Sequence, residues 1–324
     1  MVYQKSKLNK IIVCTDELPG HLKDSLVSQP CFCGSDSFTA ISDTTRHGTG
    51  VNLGKCMQCG TIQIIDYPNN DDLSWYYTNV YRALKHSDRT PAETFRYQLK
   101  HENKIKKFLQ PYLSDVNDVL DYGGASGGRF HFLTKESNKN LFIYDLDEKF
   151  VSFAMENGLK PHQIGLKYDL ICFYHVVEHM VDPLNQLKAI INDHLNDEGS
   201  FLIAVPPAET AVLRNGFLGL LKDMHIAHRF YFTSENITYL GALLGLRLVS
   251  HSSDMYLFKK TPGLEIKGLK SISLSESNKN ITKLKFYSYF IYPMNAFKNF
   301  FKKVGLSGVI TKLGRIRAKL IHET

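Results

Sequence analysis

Between residues 116 and 260 the chain alternates short apolar runs with helical stretches, and this alternation restricts its fold more than any other feature. Residues 116–122, 141–144, 168–174 and 200–205 are rich in aliphatic and aromatic side chains and have the length of strands. Helical patterns fill the gaps at 128–135, 148–157 and 183–195, and another follows at 234–245. Residues 246–250 and 255–259 then read as a closing pair of strands. Strands separated by helices cannot pair as tight hairpins; they form a mostly parallel sheet with helices on both faces. The fold class is α/β.

The first of these strands runs into Asp121-Tyr122-Gly123-Gly124-Ala125-Ser126-Gly127-Gly128. Glycine lacks a Cβ and tolerates positive φ, so such a turn lets main-chain amides approach a ligand. In open α/β sheets, ligands sit beyond the carboxyl ends of the strands. A second carboxylate, Asp145, ends the next strand 24 positions after Asp121, placed to accept both hydroxyl hydrogens of a ribose. Two cofactors fit so far. Gly123-x-Ala125-x-x-Gly128 can be forced onto a dinucleotide pattern. Asp121-x-Gly123-x-x-x-Gly127 suits a nucleoside cofactor without a pyrophosphate.

The segment from Tyr168 to Pro183, with His175-Val176-Val177-Glu178-His179 at its centre, separates the two. With the glycine turn, it resembles the class I S-adenosylmethionine-dependent methyltransferases, in the branch with a "HVxEH" fourth-strand motif. Asn196-Asp197-Glu198-Gly199-Ser200 leading into Val205-Pro206 resembles that family's fifth strand. The run His225-Ile226-Ala227-His228-Arg229-Phe230-Tyr231-Phe232-Thr233 resembles its segment before the penultimate helix. The resemblance covers about residues 25–260 and implies a Rossmann-like, seven-stranded, mostly parallel sheet. It also implies that Asp121, Gly123, Gly124, Ala125 and Gly127 line the methionine and ribose side of the cofactor. Asp145 with Leu146 would hold the ribose end, and Tyr174 with His175 would sit beside the sulfonium. Ala125 departs from the usual glycine. For Asp145, a helix N-cap is the competing role.

Methyl transfer to a hydroxyl generally needs a base, and histidine suits that task near neutral pH. His175, His179 and His228 are the candidates, with Glu178 available to orient an imidazole or hold a metal. Capping and packing at the following helix is the competing role for Glu178 and His179. Tyr76, Tyr77, Tyr81 and Arg82 resemble the family's helical lid and are candidate substrate-binding residues. The chain lacks the Asn/Asp-Pro-Pro-aromatic motif of nucleobase amino-methyltransferases and the C-x-x-x-C-x-x-C cluster of radical enzymes.

Outside this region the chain divides into residues 1–70, 71–115 and 261–324. The first carries Cys31-x-Cys33 and Cys56-x-x-Cys59, four thiols within 29 residues. Two such pairs can surround zinc tetrahedrally in a structural, zinc-ribbon-like module, and Cys14 or His47 could replace a ligand. Residues 71–115 read as a helical lid and linker. The net charge of +7 lies in the tail: residues 262–324 hold 12 Lys/Arg against 3 Asp/Glu, leaving the rest slightly acidic. Basic residues alternate with an apolar stripe over 290–324, a pattern suited to an anionic membrane surface, a docked helix pair or a second subunit. With no apolar run of 18 residues and no secretory signal, the expected location is the cytoplasm, peripheral to membrane if the tail binds there.

The resulting expectation is a methyltransferase acting on a hydroxyl of a small molecule, a sugar or glycan precursor. S-adenosylmethionine would be its cofactor and zinc a structural ion, with a homo-oligomer left open. The rivals are an RNA methyltransferase, a nicotinamide-dependent oxidoreductase and a non-catalytic cofactor-binding protein. The slightly acidic body argues against nucleic acid.

Overall fold

The computed structural model describes residues 26–45, 50–68, 71–72, 89–136, 139–209 and 224–260. Tyr76, Tyr77, Tyr81, Arg82, Cys14, His47 and the tail from residue 261 lie outside them.

The strands are β1 (Val27–Ser28), β2 (Phe38–Thr44), β3 (Gly50–Cys56), β4 (Ile62–Ile64), β5 (Asp66–Tyr67), β6 (Asp118–Tyr122) and β7 (Asn140–Tyr144). They continue as β8 (Lys160–Pro161), β9 (Tyr168–Tyr174), β10 (Leu195–Ala204), β11 (Phe230–Tyr231), β12 (Leu246–His251) and β13 (Met255–Lys260). The helices are α1 (Pro91–Leu109), α2 (Phe132–Glu136), α3 (Glu148–Glu156), α4 (Pro183–His194) and α5 (Ser234–Leu243).

Seven strands form one sheet in the order β12-β13-β10-β9-β6-β7-β8. Pairings from β10 through β8 are parallel, while β13 runs antiparallel to both of its neighbours. The chain leaves β6 in one direction to build β7 and β8, and returns to its other side for β9 and β10. The carboxyl end of β6 is therefore the topological switch point, where a ligand is expected.

Why the central strands are continuous apolar runs follows from their two buried faces. Leu120, Phe142, Ile171, Phe173, Phe201 and Ile203 join the core on one face; Val119, Leu141, Ile143, Leu170, Cys172 and Leu202 join the core on the other. Four of these helices start on side-chain caps. Thr90 and Glu93 form a capping box around Pro91 at the start of α1, Asp182 caps α4, and Thr233 with Asn236 caps α5. Among the described residues no helix is long and apolar enough to cross a membrane.

Sequence expectation and structure differ at element ends. The expected helix over 128–135 shrinks to α2, because the glycine turn consumes its first residues. The expected strand at 200–205 begins earlier, at Leu195, with a register shift against β9 before Ser200.

A second, four-stranded sheet has the order β11-β4-β3-β2. Its fourth strand comes from residues 230–231, far along the chain, with Phe230 opposite Gln63 and Tyr231 opposite Ile62. Phe32 packs against Phe230, Phe232 and Tyr239, and the cysteines Cys31, Cys56 and Cys59 belong to the same core as one face of the large sheet. Buried Arg229 donates to the carbonyl of Pro30 at 2.9 Å, and Asn236 donates to that of Cys59 at 2.8 Å. The cysteine-bearing layer is thus welded to the large sheet.

Candidate active site

The glycine turn is held by its surroundings at nearly every amide. The amide of Gly123 donates to the Tyr144 carbonyl at 2.7 Å, and that of Ala125 donates to Asp145 Oδ2 at 2.9 Å. Gly123 has φ +73 and Gly127 φ +74, and a Cβ would lie 2.6 Å from Val176 Cγ2 at the first and 2.2 Å from Leu159 Cδ2 at the second. Both positions need glycine for conformation and for space. Ala125 sits at φ 50, left-handed as well, so its backbone takes the conformation glycine would adopt, at some strain.

Asp121, the penultimate residue of β6, has 1% of its surface exposed, and its Oδ2 has no hydrogen-bond partner. Burial pushes its carboxyl up to about 7; the Arg129 charge opposes that rise and Asp145 adds to it. Asp145 accepts from Ala125 through Oδ2 and from the Asp147 amide through Oδ1. The cap of α3 is Asp147, whose side chain accepts from Lys149, so the N-cap role considered for Asp145 falls to its neighbour. Leu146 beside it is 82% exposed, an apolar side chain open to solvent at the end of β7.

Two residues at this turn escaped the sequence reading. Gln98, buried on α1, accepts from the Gly128 amide and donates to the Gly124 carbonyl, both at 2.9 Å. Arg129 is half-buried, with its guanidinium 4.9 Å from the Tyr174 ring centre. Neither carries a local signal, because each role depends on partners brought in by the fold.

At the end of β9 the chain turns sharply. His175 has φ 60, and its amide donates to the Ala204 carbonyl at 2.8 Å. Its side chain is 37% exposed, and Nδ1 lies 3.1 Å from Oε1 of Glu178. Glu178 and His179 fall on a 3-10 turn, Val177–His179, which lets these adjacent side chains diverge. Glu178 is buried. Desolvation pushes its carboxyl up, but the His175 hydrogen bond and the charges of His179 and His175 outweigh it, leaving the net below the ordinary value. The ring of His228 lies 4.6 Å from that of His179, so the fold brings together all four residues expected to do chemistry.

The cysteines also converge. Cys31 Sγ is 3.4 Å from Cys59 Sγ, and Cys33 Sγ is 3.6 Å from Cys56 Sγ; all four sulfurs lie within 4.8 Å of one another. Thiolates around zinc at ~2.3 Å stand about 3.8 Å apart, so this set fits that ion.

Residues 92–251 match a family model described as a methyltransferase domain. That stretch is a methyltransferase domain of the S-adenosylmethionine-dependent kind. Solved structures similar to this chain include TnmH, at 15% identity and TM-score 0.45 over 58% of this chain and 61% of that one. A putative O-methyltransferase from Nostoc punctiforme is 19% identical, TM-score 0.38, over 49% of this chain and 56% of that one. Magnesium protoporphyrin IX methyltransferase from Synechocystis, with bound SAH, is 15% identical, TM-score 0.39, over 52% and 85%. The chain thus spans under two thirds of the first two. No curated protein sequence matches it.

Proposed function

We propose that this chain transfers a methyl group from S-adenosylmethionine to a hydroxyl of a small molecule, a sugar or glycan precursor, within the branch that joins a zinc-ribbon-like module to the "HVxEH" motif. The bound cofactor supplies an electrophilic methyl on a sulfonium. Asp121, with its orphaned buried oxygen, suits the cofactor's ammonium group, and Gly123, Gly124, Ala125 and Gly127 supply the close backbone. Asp145, fixed at the end of β7 by the Ala125 and Asp147 amides, suits the ribose hydroxyls, and exposed Leu146 offers an apolar surface for a base. Tyr174 and His175 close the reacting end. Cys31, Cys33, Cys56 and Cys59 hold zinc as a structural ion, since four ligands leave no open position. The module of residues 1–70, the lid of 71–115 with Tyr76, Tyr77, Tyr81 and Arg82, the body of 116–260 and the basic extension remain the proposed organisation. The stretch 290–324 is the proposed contact with an anionic membrane.

The observation that carries hydroxyl chemistry is the His175–Glu178 pair. A half-exposed imidazole hydrogen-bonded through Nδ1 to a buried carboxylate keeps Nε2 for the acceptor's proton, and the carboxylate stabilises the imidazolium that forms. The test is turnover of labelled cofactor against a panel of hydroxylated metabolites. His175→Asn, which tolerates the left-handed backbone, should lower kcat by roughly 10²–10⁴-fold, far more than it weakens S-adenosylhomocysteine binding. An unaltered rate on a productive acceptor would remove His175 from the chemistry.

A further inference from the structure

We infer that Glu178, His179 and His228 form a divalent transition-metal site, separate from the four cysteines and with a coordination position left open. One ligand atom from each lies within 4.8 Å of the others, although His228 is far from Glu178 and His179 in sequence. Glu178 is 2% exposed; its Oε1 serves His175, while Oε2 is buried with no hydrogen-bond partner. An unpartnered buried carboxylate oxygen is costly, and a cation is a means of offsetting that cost.

His179 carries the second observation. Its Nδ1 stands 2.6 Å from the Ala227 carbonyl, which can only accept, so Nδ1 holds the proton and Nε2 keeps its lone pair. Metal-ligating histidines are commonly fixed this way, donating their other N–H to a backbone carbonyl. That Nε2 is 4.0 Å from Glu178 Oε1. His228 follows Ala227 directly, so the carbonyl that orients His179 belongs to the residue preceding the third ligand. The His228 amide donates to the His225 carbonyl at 3.0 Å, and the His225 ring packs 4.1 Å from that of His228.

Two imidazoles and one carboxylate suit zinc and its borderline neighbours, and carry one negative charge against the ion's two positive. At metal–ligand distances of ~2.0–2.1 Å, tetrahedral donors sit about 3.3 Å apart, which side-chain rotation can reach from the present spacing. Three protein ligands leave a place for water or an oxygen of a bound molecule. The ion would tie the turn after β9 to the loop that enters β11. The site stands independently of the acceptor's identity.

The test uses the full chain, stripped by chelation and then loaded with zinc or cobalt(II). Metal content is measured by mass spectrometry and ligand type by X-ray absorption. The expected result is a nitrogen/oxygen-ligated ion at ~2.0–2.1 Å in addition to any sulfur-ligated ion at ~2.3 Å. His228→Ala and Glu178→Gln should each lose one metal equivalent and the nitrogen/oxygen shell while keeping the sulfur shell. Retention of the sulfur shell and an unchanged circular dichroism spectrum report an intact fold, and should Glu178→Gln misfold, the solvent-reached His228 variant decides. Purely sulfur ligation in the loaded wild type, or a nitrogen/oxygen shell that survives His228→Ala, would overturn the site.

Discussion

Asp121→Asn should stabilise the cofactor-free protein at alkaline pH and do little at acidic pH, the reverse of the usual consequence of losing a buried acid. Asp121 is 1% exposed, its Oδ2 is unpartnered, and burial raises its carboxyl from 3.8 to about 7. Between those two values the unfolded chain has already released its proton while the native chain still holds it. Stability therefore falls as pH rises through that window, and the loss is complete above about pH 7. At ~1.36 kcal/mol per pH unit the full penalty is on the order of 4 kcal/mol, of which about 2–3 kcal/mol develops between pH 5 and pH 8. Asparagine has nearly the same shape and does not titrate. Urea unfolding of both chains at pH 5 and pH 8 isolates the effect, because every other titration is common to the two. The advantage of Asp121→Asn should grow by about 2–3 kcal/mol from the lower to the higher pH. A gap that is equal at both, or that shrinks, refutes the buried-acid argument. The same variant should bind S-adenosylhomocysteine more weakly, since the charge costly to the empty protein is the one proposed to meet the cofactor.

Asp145→Asn should lower S-adenosylhomocysteine affinity by about tenfold or more, ~1.4 kcal/mol by calorimetry, and cost some stability as well, because Asp145 accepts from Ala125 and Asp147. Undiminished affinity would take the ribose role from it. Cys56→Ser with Cys59→Ser should release about one sulfur-ligated zinc per chain and lower Tm, both cysteines being fully buried in the core shared with the large sheet; a wild type without sulfur-ligated metal refutes this. Deleting residues 290–324 should abolish binding to anionic liposomes while leaving cofactor affinity intact. Liposome flotation checks it, and an undeleted chain that fails to bind ends the idea.

The parallel sheet was legible because burial on both faces makes each central strand a continuous apolar run; β9, Tyr168–Tyr174, matches its expected limits. The strands β2 and β3 were not, since Phe38–Thr44 mixes polar and apolar residues and its pairing with β3 breaks register twice, blurring any alternation. Thr90-Pro91-Ala92-Glu93 did carry a readable start signal for α1, as the capping box there shows. His175, Glu178 and His179 could be found from sequence because one motif holds all three. That His228 would meet them required knowing that its loop folds back onto the turn after β9. Gln98 makes the same point: its two hydrogen bonds reach 26 and 30 residues away, and nothing near it in sequence announces them.

The two-residue strand β11 has a temporal meaning. It lies about 166 residues beyond β4, the strand it joins, so the cysteine-bearing sheet is still missing an edge when its own residues leave the ribosome. At ordinary rates of synthesis, roughly ten to thirty seconds pass before residues 230–231 emerge. During that interval β4 presents an unpaired edge, a template for pairing with other chains. The cysteines beside it then have time to meet a metal before the rest of the protein exists. The segment first made is among the last to be finished.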